Sequence, residues 1–165
     1  YEISLGLVGS EMCIRDSYAG IPFSSKEPSH ITSLVYDEIK HIKKDHDAIP
    51  ILIETKRLMV SDPEDKFTAA AKDAAKKSGD FPNLSQEDIS TIALSLQLEA
   101  ELITDDFTVS NVAKNLNLKV IPIMTSGIKN IVTWVYYCQG CRTNFSKITE
   151  CPNCGNKLKR RPMKN

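Results

Sequence analysis

A cluster of four cysteines near the C terminus constrains the fold of this 165-residue chain more than any other feature. The stretch "CQGCRTNFSKITECPNC" contains two C-x2-C pairs separated by nine residues: Cys138, Cys141, Cys151 and Cys154. Two thiolates three positions apart on a tight turn can face one metal ion, and two such turns complete a tetrahedral shell. Two disulfides would need an oxidising compartment, and no export signal is visible. We therefore predict a zinc ribbon, with a rubredoxin-like iron site as the alternative.

The segments around the cysteines fit the strands of a small ribbon. Strands are expected in "TWVYYC" and "TNFSKI", and Gly155 can take the positive φ that a metal-binding turn often needs. A ribbon of roughly 25–30 residues has too little core of its own and depends on its metal to fold. The aromatic side chains can pack on the ribbon or stack on bases, and we favour packing for most of them: Trp134, Tyr136, Tyr137 and Phe145.

The formal net charge of zero conceals a division along the chain. Residues 1–126 carry 13 Lys and Arg against 20 Asp and Glu, whereas residues 127–165 carry 8 against 1. An acidic body followed by a basic segment predicts two modules, of which the basic one contacts a polyanion such as nucleic acid. No apolar run approaches the roughly 18 residues of a membrane span. The candidates for RNA contact are Arg142, Lys147, Lys157, Lys159, Arg160 and Arg161.

The body of the chain alternates between helix-like and strand-like patterns. Helices are expected in "HITSLVYDEIKHIKKD", "PEDKFTAAAKDAAKKSGD", "NLSQEDISTIALSLQLEA" and "TVSNVAKNLNL", and strands in "AIPILIE", "AELITDD" and "KVIPI". Gly79 is expected to end the second helix and Ser85 to cap the third. The three histidines, His30, His41 and His46, are interpreted as surface residues. This order predicts an α/β fold with a mainly parallel sheet, whose ligands bind outside the carboxyl ends of the strands.

Several carboxylates are expected near that edge of the sheet. Oxygen ligands there can hold Mg2+ or Mn2+, which activate water for attack on a phosphodiester. The candidates are Glu38, Asp88, Asp105 and Asp106. Each also has a structural interpretation: Glu38 as helix surface, Asp88 as the acid of a capping box, and Asp105–Asp106 as a helix cap. The residues alone leave both interpretations open.

The motifs together resemble a known family. The stretch "KSGDFPNLSQEDISTIALSLQLEAELITDDFTVSNVA" is similar to the PIN-domain endoribonucleases that mature the 3′ end of small-subunit ribosomal RNA, especially archaeal members. "AGIPF", "SLVYDEI" and the four-cysteine ribbon occur in the same order in that family. The resemblance implies an α/β/α sandwich over residues 18–126, a linker and ribbon start over 127–137, and a zinc ribbon with basic tail over 138–165.

The resemblance also implies an activity and a site. It implies metal-dependent hydrolysis of precursor rRNA in the cytoplasm during small-subunit assembly, with Mn2+ or Mg2+ at the acids and structural Zn2+ in the ribbon. Glu38 matches the family's helical glutamate, Asp88 the aspartate opening the long helix, and Asp106 the last acid, with Asp105 able to share that role. The ribbon and tail would hold the rRNA.

The N terminus departs from the family pattern. Members begin with a buried strand running into Asp-Thr-Ser-Ala, and counting back from "AGIPF" puts that aspartate at Cys13; Asp16 lies three residues too late. The segment "SLGLVGSEMCIRDS" resembles a translated sequencing adapter, so residues 1–17 are interpreted as non-native and the first strand as lost. Two alternatives to the nuclease follow: a catalytically dead rRNA-binding assembly factor acting through its ribbon, and a toxin-type PIN ribonuclease, which predicts no ribbon.

Overall fold

The computed structural model describes residues 28–42, 48–122, 126–146 and 150–163, together with the backbone of residues 6–8. Cys13, Asp16 and Lys147 lie outside the described residues, so the expectations for them stay predictions. A five-stranded sheet has the order β3-β2-β1-β4-β5, and every neighbouring pair is parallel. Its strands are β1 (Gly6–Val8), β2 (Ser29–Ile31), β3 (Leu58–Val60), β4 (Glu101–Ile103) and β5 (Val120–Ile121). The predicted mainly parallel α/β fold is confirmed.

The central strand of this sheet corrects one expectation. We expected the first strand to be lost, but residues Gly6–Val8 pair with β2 on one side and β4 on the other. Counting back from "AGIPF" puts this strand at "GSEM", whereas the short run "GLV" a few residues earlier fills the position. A parallel sheet with a missing central strand would leave the backbone groups of both neighbours unpaired.

Within the described ranges, five helices connect and cover the strands: α1 (Ser33–Ile42), α2 (Ala48–Glu54), α3 (Asp65–Ser78), α4 (Gln86–Leu98) and α5 (Phe107–Asn115). The prediction of a strand at "AIPILIE" is wrong, because this stretch is α2. Pro50 lies in its first turn, where the missing N–H has no helical partner. Leu52 is buried, with Ile49 and Ile53 packed on the same cluster, which is helical spacing. The neighbouring strand is β3 instead, which the sequence analysis did not predict.

The ends of α3 and α4 follow the predicted capping chemistry. Gly79 ends α3 with φ of 77°, and its N–H and that of Asp80 bond carbonyls of the last turn. Ser85 caps α4 through a full capping box with Asp88. Between them, Phe81–Asn83 form one turn of 3-10 helix. These caps fix the short connection that joins the two helices.

The apolar core forms two clusters. The larger joins α3, α4, α5 and β4, with Ile92, Leu94, Leu102 and Val112 fully buried. The smaller joins β2, α1, α2 and β3 around Ile31 and Val35. His30 lies in β2 and is only 7% exposed, so the interpretation of His30 as a surface residue is wrong. The expectation failed because His30 was placed in the helix that follows, whereas it lies in β2, whose three residues are all buried.

The C-terminal module is a three-stranded antiparallel sheet of order β7-β6-β8: β6 (Trp134–Tyr137), β7 (Asn144–Phe145) and β8 (Lys159–Pro162). The first two are the predicted ribbon strands. The third lies in the basic tail, where no strand was predicted because "KRRP" lacks an apolar pattern. The segment becomes a strand, β8, because four of its residues pair with β6. In the described ranges, no helix has both the length and the apolar character to cross a membrane.

The ribbon packs directly on the turn between α3 and α4. A Cβ on Gly79 would lie 2.5 Å from the Trp134 carbonyl oxygen, so only glycine admits β6 at this distance. The Tyr136 hydroxyl donates a hydrogen bond of 2.7 Å to the Gly79 carbonyl. Burial is the first cause that raises the pKa of Tyr136. The hydroxyl therefore stays protonated and able to donate at neutral pH.

Candidate active site and metal centre

The candidate active site lies at the carboxyl edge of the parallel sheet. Thr32 follows β2 and Thr104 follows β4, so both stand where parallel strands present ligand-binding residues. The Thr32 hydroxyl lies 2.8 Å from that of Ser90, which joins the start of α1 to the first turns of α4. Thr32 Oγ1 also accepts from the Val35 N–H at 3.3 Å, as an N-cap does. These bonds hold α1 and α4 side by side at this edge.

Asp88 is fixed at the start of α4. It is 8% exposed, and its Oδ2 accepts 2.9 Å hydrogen bonds from both the N–H and the hydroxyl of Ser85. The Asp88 N–H donates in return to Ser85 Oγ at 3.1 Å. The capping-box interpretation is therefore confirmed. The capping box does not prevent Asp88 from binding a ligand, because a carboxylate has lone pairs on two oxygens. The cap also holds the Asp88 side chain in one rotamer.

Asp106 and Asp105 follow β4 directly. Asp106 caps α5, because its Oδ1 accepts from the Val109 N–H at 2.7 Å, while its own N–H donates to Thr104 Oγ1 at 3.1 Å. Asp105 is half-buried beside it, and Glu38 is half-buried in the second turn of α1. Asp105 and Asp106 thus lie at the carboxyl end of β4 and Asp88 at the start of α4, whereas Glu38 lies further along α1.

The acids are not gathered into a closed ligand set. Among the residues with described side chains, the four cysteines are the only group of three or more candidate ligands close enough to share an ion. The position that would supply the family's first aspartate, Cys13, lies outside those residues. The catalytic roles of Glu38, Asp88, Asp105 and Asp106 therefore stay predictions.

The metal centre of the ribbon is better defined. The Sγ atoms of the four cysteines all lie within 4.8 Å of one another. Cys138 Sγ is 3.3 Å from Cys154 Sγ, and Cys141 Sγ is 3.4 Å from Cys151 Sγ. A disulfide would bring each pair to about 2.05 Å, whereas thiolates around one tetrahedral zinc stand about 3.8 Å apart for Zn–S bonds of about 2.3 Å. The four thiols therefore fit a metal ion and are not disulfide-bonded.

The thiols of this centre have unequal acidities. The pKa of Cys141 is lowered to about 6 by hydrogen bonds with Thr143. The bond with the Thr143 side chain contributes most, followed by the bond with its backbone. A backbone hydrogen bond with Asn156 is the first cause that lowers the pKa of Cys154. Burial raises the pKa of Cys151 to about 12. A tetrathiolate shell thus requires the positive charge of a bound ion at its centre.

The two turns that carry the cysteines differ in the residue that takes a left-handed conformation. Gly155 has φ of 71°, as expected for the second turn. In the first turn, the matching position after the second cysteine is Arg142, with φ of 60°. Gly140 instead allows the close approach of Asn156, whose Nδ2 would lie 2.3 Å from an added Cβ. Arg142 therefore occupies a left-handed conformation that favours glycine.

The predicted RNA-contacting residues fall into two groups. Arg142, Lys157, Lys159 and Arg161 are exposed on the ribbon. Arg161 lies over the Tyr137 ring at 4.3 Å and donates to Asn144 Oδ1. Arg160 is different, because its guanidinium lies 4.0 Å from the Trp134 ring centre and forms an ion pair with Asp80. Arg160 is thus engaged inside the protein and is a poor candidate for phosphate contact.

Asp80 and its partners were missed by the sequence analysis. The side chain of Asp80 is fully buried, with Arg160 on one oxygen and Asn111 Nδ2 at 2.6 Å from the other. Asn111 also exchanges two hydrogen bonds with the backbone of Val132, at 2.7 and 2.8 Å. The available signal was the acid in "SGDFPNLS", directly after the helix-ending glycine. This network ties α5 and the α3–α4 turn to the ribbon.

Comparisons with known proteins give the class. A family described as "PIN domain of ribonuclease" matches residues 23–98. Endoribonuclease Nob1 of Pyrococcus abyssi is 34% identical over 138 residues, covering 82% of this chain and 84% of that protein. Ribonuclease VapC1 of Thermoplasma acidophilum is 36% identical over 62% of this chain and 54% of its own length. Endoribonuclease Nob1 of Methanocaldococcus jannaschii is 37% identical over 66% of this chain and 55% of its own length.

The parallel sheet, the acids at its carboxyl edge and these similarities define a PIN-domain ribonuclease. Within that class, the chain belongs to the Nob1 family of endoribonucleases, because the similarity to the Pyrococcus abyssi protein spans most of both chains. The resemblance inferred from the motifs is thereby confirmed. By family, the activity is that of an endoribonuclease.

Proposed function

We propose that the protein is a metal-dependent endoribonuclease that cleaves precursor small-subunit rRNA near its 3′ end during ribosome biogenesis in the cytoplasm. The observation that carries this proposal is the family membership, which joins a PIN domain to a four-cysteine ribbon in one chain. The carboxylates at the sheet edge supply an acidic site, and the basic ribbon supplies a surface for RNA. Precursor rRNA and the assembling small subunit are the proposed partners.

The chain's own residues define what the site does. Asp88, Asp106 and Glu38, with Asp105 beside them, are the oxygen ligands that would hold Mn2+ or Mg2+, and oxygen donors suit these hard cations. Such an ion, when bound, activates water and offsets charge on the phosphodiester. The Ser85 cap keeps Asp88 in one orientation, and Thr104 and the α5 N terminus do the same for Asp106. Preorganised carboxylates of this kind need little rearrangement when the substrate arrives.

The ribbon would contribute binding instead of chemistry. Zinc on the four thiolates stabilises the turns that carry Arg142 and lead to Lys157 and Lys159. These exposed cations would contact RNA phosphates, which position a substrate without reading its sequence. The buried Asp80–Arg160 pair would set the distance between this surface and the sheet edge.

The second candidate function is RNA binding without RNA cleavage. With Cys13 where the family has its first aspartate, the chain would be an rRNA-binding assembly factor without cleavage. The loss of one carboxylate from a small metal site would remove most of its hydrolytic power. Both functions share the ribbon, so the residue at position 13 decides between them.

One experiment separates the two. The purified chain, its Cys13→Asp variant and a Cys13→Asp, Asp88→Asn double variant are incubated with Mn2+ and an RNA spanning the 3′ end of small-subunit rRNA. The nuclease proposal expects cleavage near that end by the purified chain, faster cleavage by Cys13→Asp, and none by the double variant. Asp73→Asn in the Cys13→Asp background is the matched control, because Asp73 is exposed on α3. Binding without cleavage by the purified chain would overturn the nuclease proposal in favour of the assembly factor, even where Cys13→Asp restores cleavage.

A further inference from the structure

Phe81 is an exposed aromatic side chain beside the contact between the PIN domain and the ribbon. It lies in the 3-10 turn between α3 and α4 and is 38% exposed, although its neighbours Gly79 and Asp80 are buried under the ribbon. The described contacts that hold the ribbon on this turn, Tyr136 with Gly79 and Arg160 with Asp80 and Trp134, do not use its ring. The ring is therefore available to a ligand at this surface.

The Phe81 ring borders two open grooves. One groove of about 680 Å³ runs between α3 and the ribbon, with Tyr136 and Ser146 on the ribbon side. The other, of about 490 Å³, reaches Ser85 and Ser90 at the start of α4. Phe81 lines both. The two grooves that share Phe81 are together called the Phe81 groove; one lies beside the ribbon and the other reaches Ser85, which is hydrogen-bonded to Asp88.

The charge of the Phe81 groove differs from that of the domain around it. Lys76 and Lys77 line its ribbon half and Lys72 its other half, all from α3. The carboxylate in the lining is Asp62, whose Oδ1 accepts from both the N–H and the hydroxyl of Ser33. A row of lysines on an otherwise acidic body favours an anionic occupant.

The occupant must also suit an exposed aromatic ring. Lys76 Nζ lies 5.4 Å from the centre of the Phe81 ring, so a cation and a stacking surface are adjacent. Single-stranded nucleic acid presents this combination, because unpaired bases stack on aromatic rings while neighbouring phosphates meet lysines. Duplex RNA keeps its bases stacked inside and is recognised by shape and backbone. An acidic peptide would use the lysines but would gain less from the ring.

We propose that the Phe81 groove binds a single-stranded segment of the RNA substrate, with one base stacked on Phe81 and phosphates on Lys76 and Lys77. This inference deepens the proposed function and rests on it. Because one of the two grooves reaches Ser85, which is hydrogen-bonded to Asp88, a base held on Phe81 is anchored near the start of α4 and sets which nucleotide is presented to the sheet edge. It is a specificity-determining residue outside the acidic site.

The test uses the full zinc-loaded chain and a single-stranded oligoribonucleotide carrying 2-aminopurine, without added Mn2+ or Mg2+. Stacking on an aromatic ring quenches 2-aminopurine, so both affinity and stacking are read in one titration. Phe81→Ala should bind roughly 5- to 100-fold more weakly and lose the quenching. Phe81→Tyr should retain both. Ile131→Ala is the control, because Ile131 is 50% exposed and lines neither groove.

The lysines are tested by salt dependence. Each phosphate contact to a single strand contributes about 0.7 to the slope of log affinity against log salt. Lys76→Ser with Lys77→Ser should therefore reduce that slope by about 1.4. Lys66→Ser is the matched control on the same helix, since it lines neither groove. Phe81→Leu keeps an apolar side chain and serves if Phe81→Ala fails to fold; it should still lose the quenching.

The outcomes separate the two proposals. If Phe81→Ala and Phe81→Leu bind and quench like the parent chain, the groove proposal is overturned, while RNA cleavage by the parent chain would leave the proposed function standing. If binding depends on Phe81 but no variant cleaves RNA, the groove stands and the nuclease proposal fails. A parent chain that binds no single-stranded RNA overturns both.

Discussion

Arg160 of the ribbon and Asp80 of the nuclease domain form an ion pair in which the aspartate side chain is fully buried and the arginine is 25% exposed. The Trp134 ring covers the guanidinium, and Asn111 satisfies the second oxygen of Asp80. The pair joins residues 80 positions apart in the chain. It therefore fixes how the basic ribbon sits relative to the sheet edge.

Breaking this pair should destabilise the protein strongly. Removing one partner of a buried ion pair leaves the other charge without compensation and costs about 3–5 kcal/mol. We expect Arg160→Met and Asp80→Ala each to lower the free energy of unfolding in urea by about that amount. The double variant should lose less than the sum, because the second change removes the orphaned charge. Lys159→Met is the control, because Lys159 is exposed on the same strand, and it should change the free energy of unfolding by less than about 0.5 kcal/mol. A loss of stability in Lys159→Met equal to that in Arg160→Met would argue against a specific ion pair.

The pair also shows what a sequence can reveal. The four cysteines, Gly79 and the Ser85–Asp88 box were predictable, because each depends on residues close in sequence and on one kind of local chemistry. The Asp80–Arg160 contact was not, since nothing near either residue indicates the partner. The strand assigned to "AIPILIE" failed for a related reason: a short apolar run fits a buried strand and a helix equally well. The tail strand β8 is defined by its pairing with β6 and carries no pattern of its own.

Replacing Arg142 with glycine should stabilise the ribbon. Arg142 holds φ of 60° at the position where the second turn has Gly155, and a non-glycine residue in this region costs about 1–2 kcal/mol. Arg142→Gly should raise the stability of the zinc-loaded protein by about 1 kcal/mol. Gly155→Ala should lower it by a similar amount through backbone strain alone, because an added Cβ meets nothing within 4 Å. If Arg142 contacts RNA, its glycine variant will bind RNA less tightly despite being more stable.

Zinc should be required for the ribbon and for RNA binding. Cys151→Ser removes a buried ligand from the centre, and three thiolates hold the ion much less tightly than four. We expect the variant to lose its bound zinc on dialysis and to bind RNA more weakly, as should wild-type protein stripped of zinc by a chelator. Metal content and RNA affinity are measured on the same samples. RNA binding by zinc-free protein equal to that of the loaded form would remove the ribbon from the binding surface.

His30 should make stability depend on pH. Burial lowers the pKa of His30 below its usual 6.5, and among the described residues its Nδ1 has no hydrogen-bond partner. The unfolded chain then binds a proton more readily than the folded one, so stability falls as pH drops below about 6.5, by up to about 1.4 kcal/mol per pH unit. Urea unfolding between pH 8 and 5.5 measures this slope. His30→Gln should reduce the slope of the free energy of unfolding against pH relative to wild type. Because His41 and His46 are unchanged in the variant, the difference between the two slopes comes from His30. Equal slopes in the two proteins would contradict this assignment.

Asp88→Asn tests the acid that the structure fixes best. Asparagine keeps an oxygen that can accept from Ser85, so the capping box and the fold should survive with a loss of no more than about 1 kcal/mol. The variant removes the negative charge that would hold Mn2+ or Mg2+, and losing one preorganised group facing the reacting phosphate costs about 100-fold or more in rate. In a Cys13→Asp background we therefore expect cleavage to fall by at least about 100-fold while RNA affinity stays unchanged.

Ser85→Ala is the companion variant, because it weakens the helix cap by about 1 kcal/mol and leaves the charge of Asp88 unchanged. Cleavage lost in Ser85→Ala but kept in Asp88→Asn would mean that Asp88 serves the helix alone.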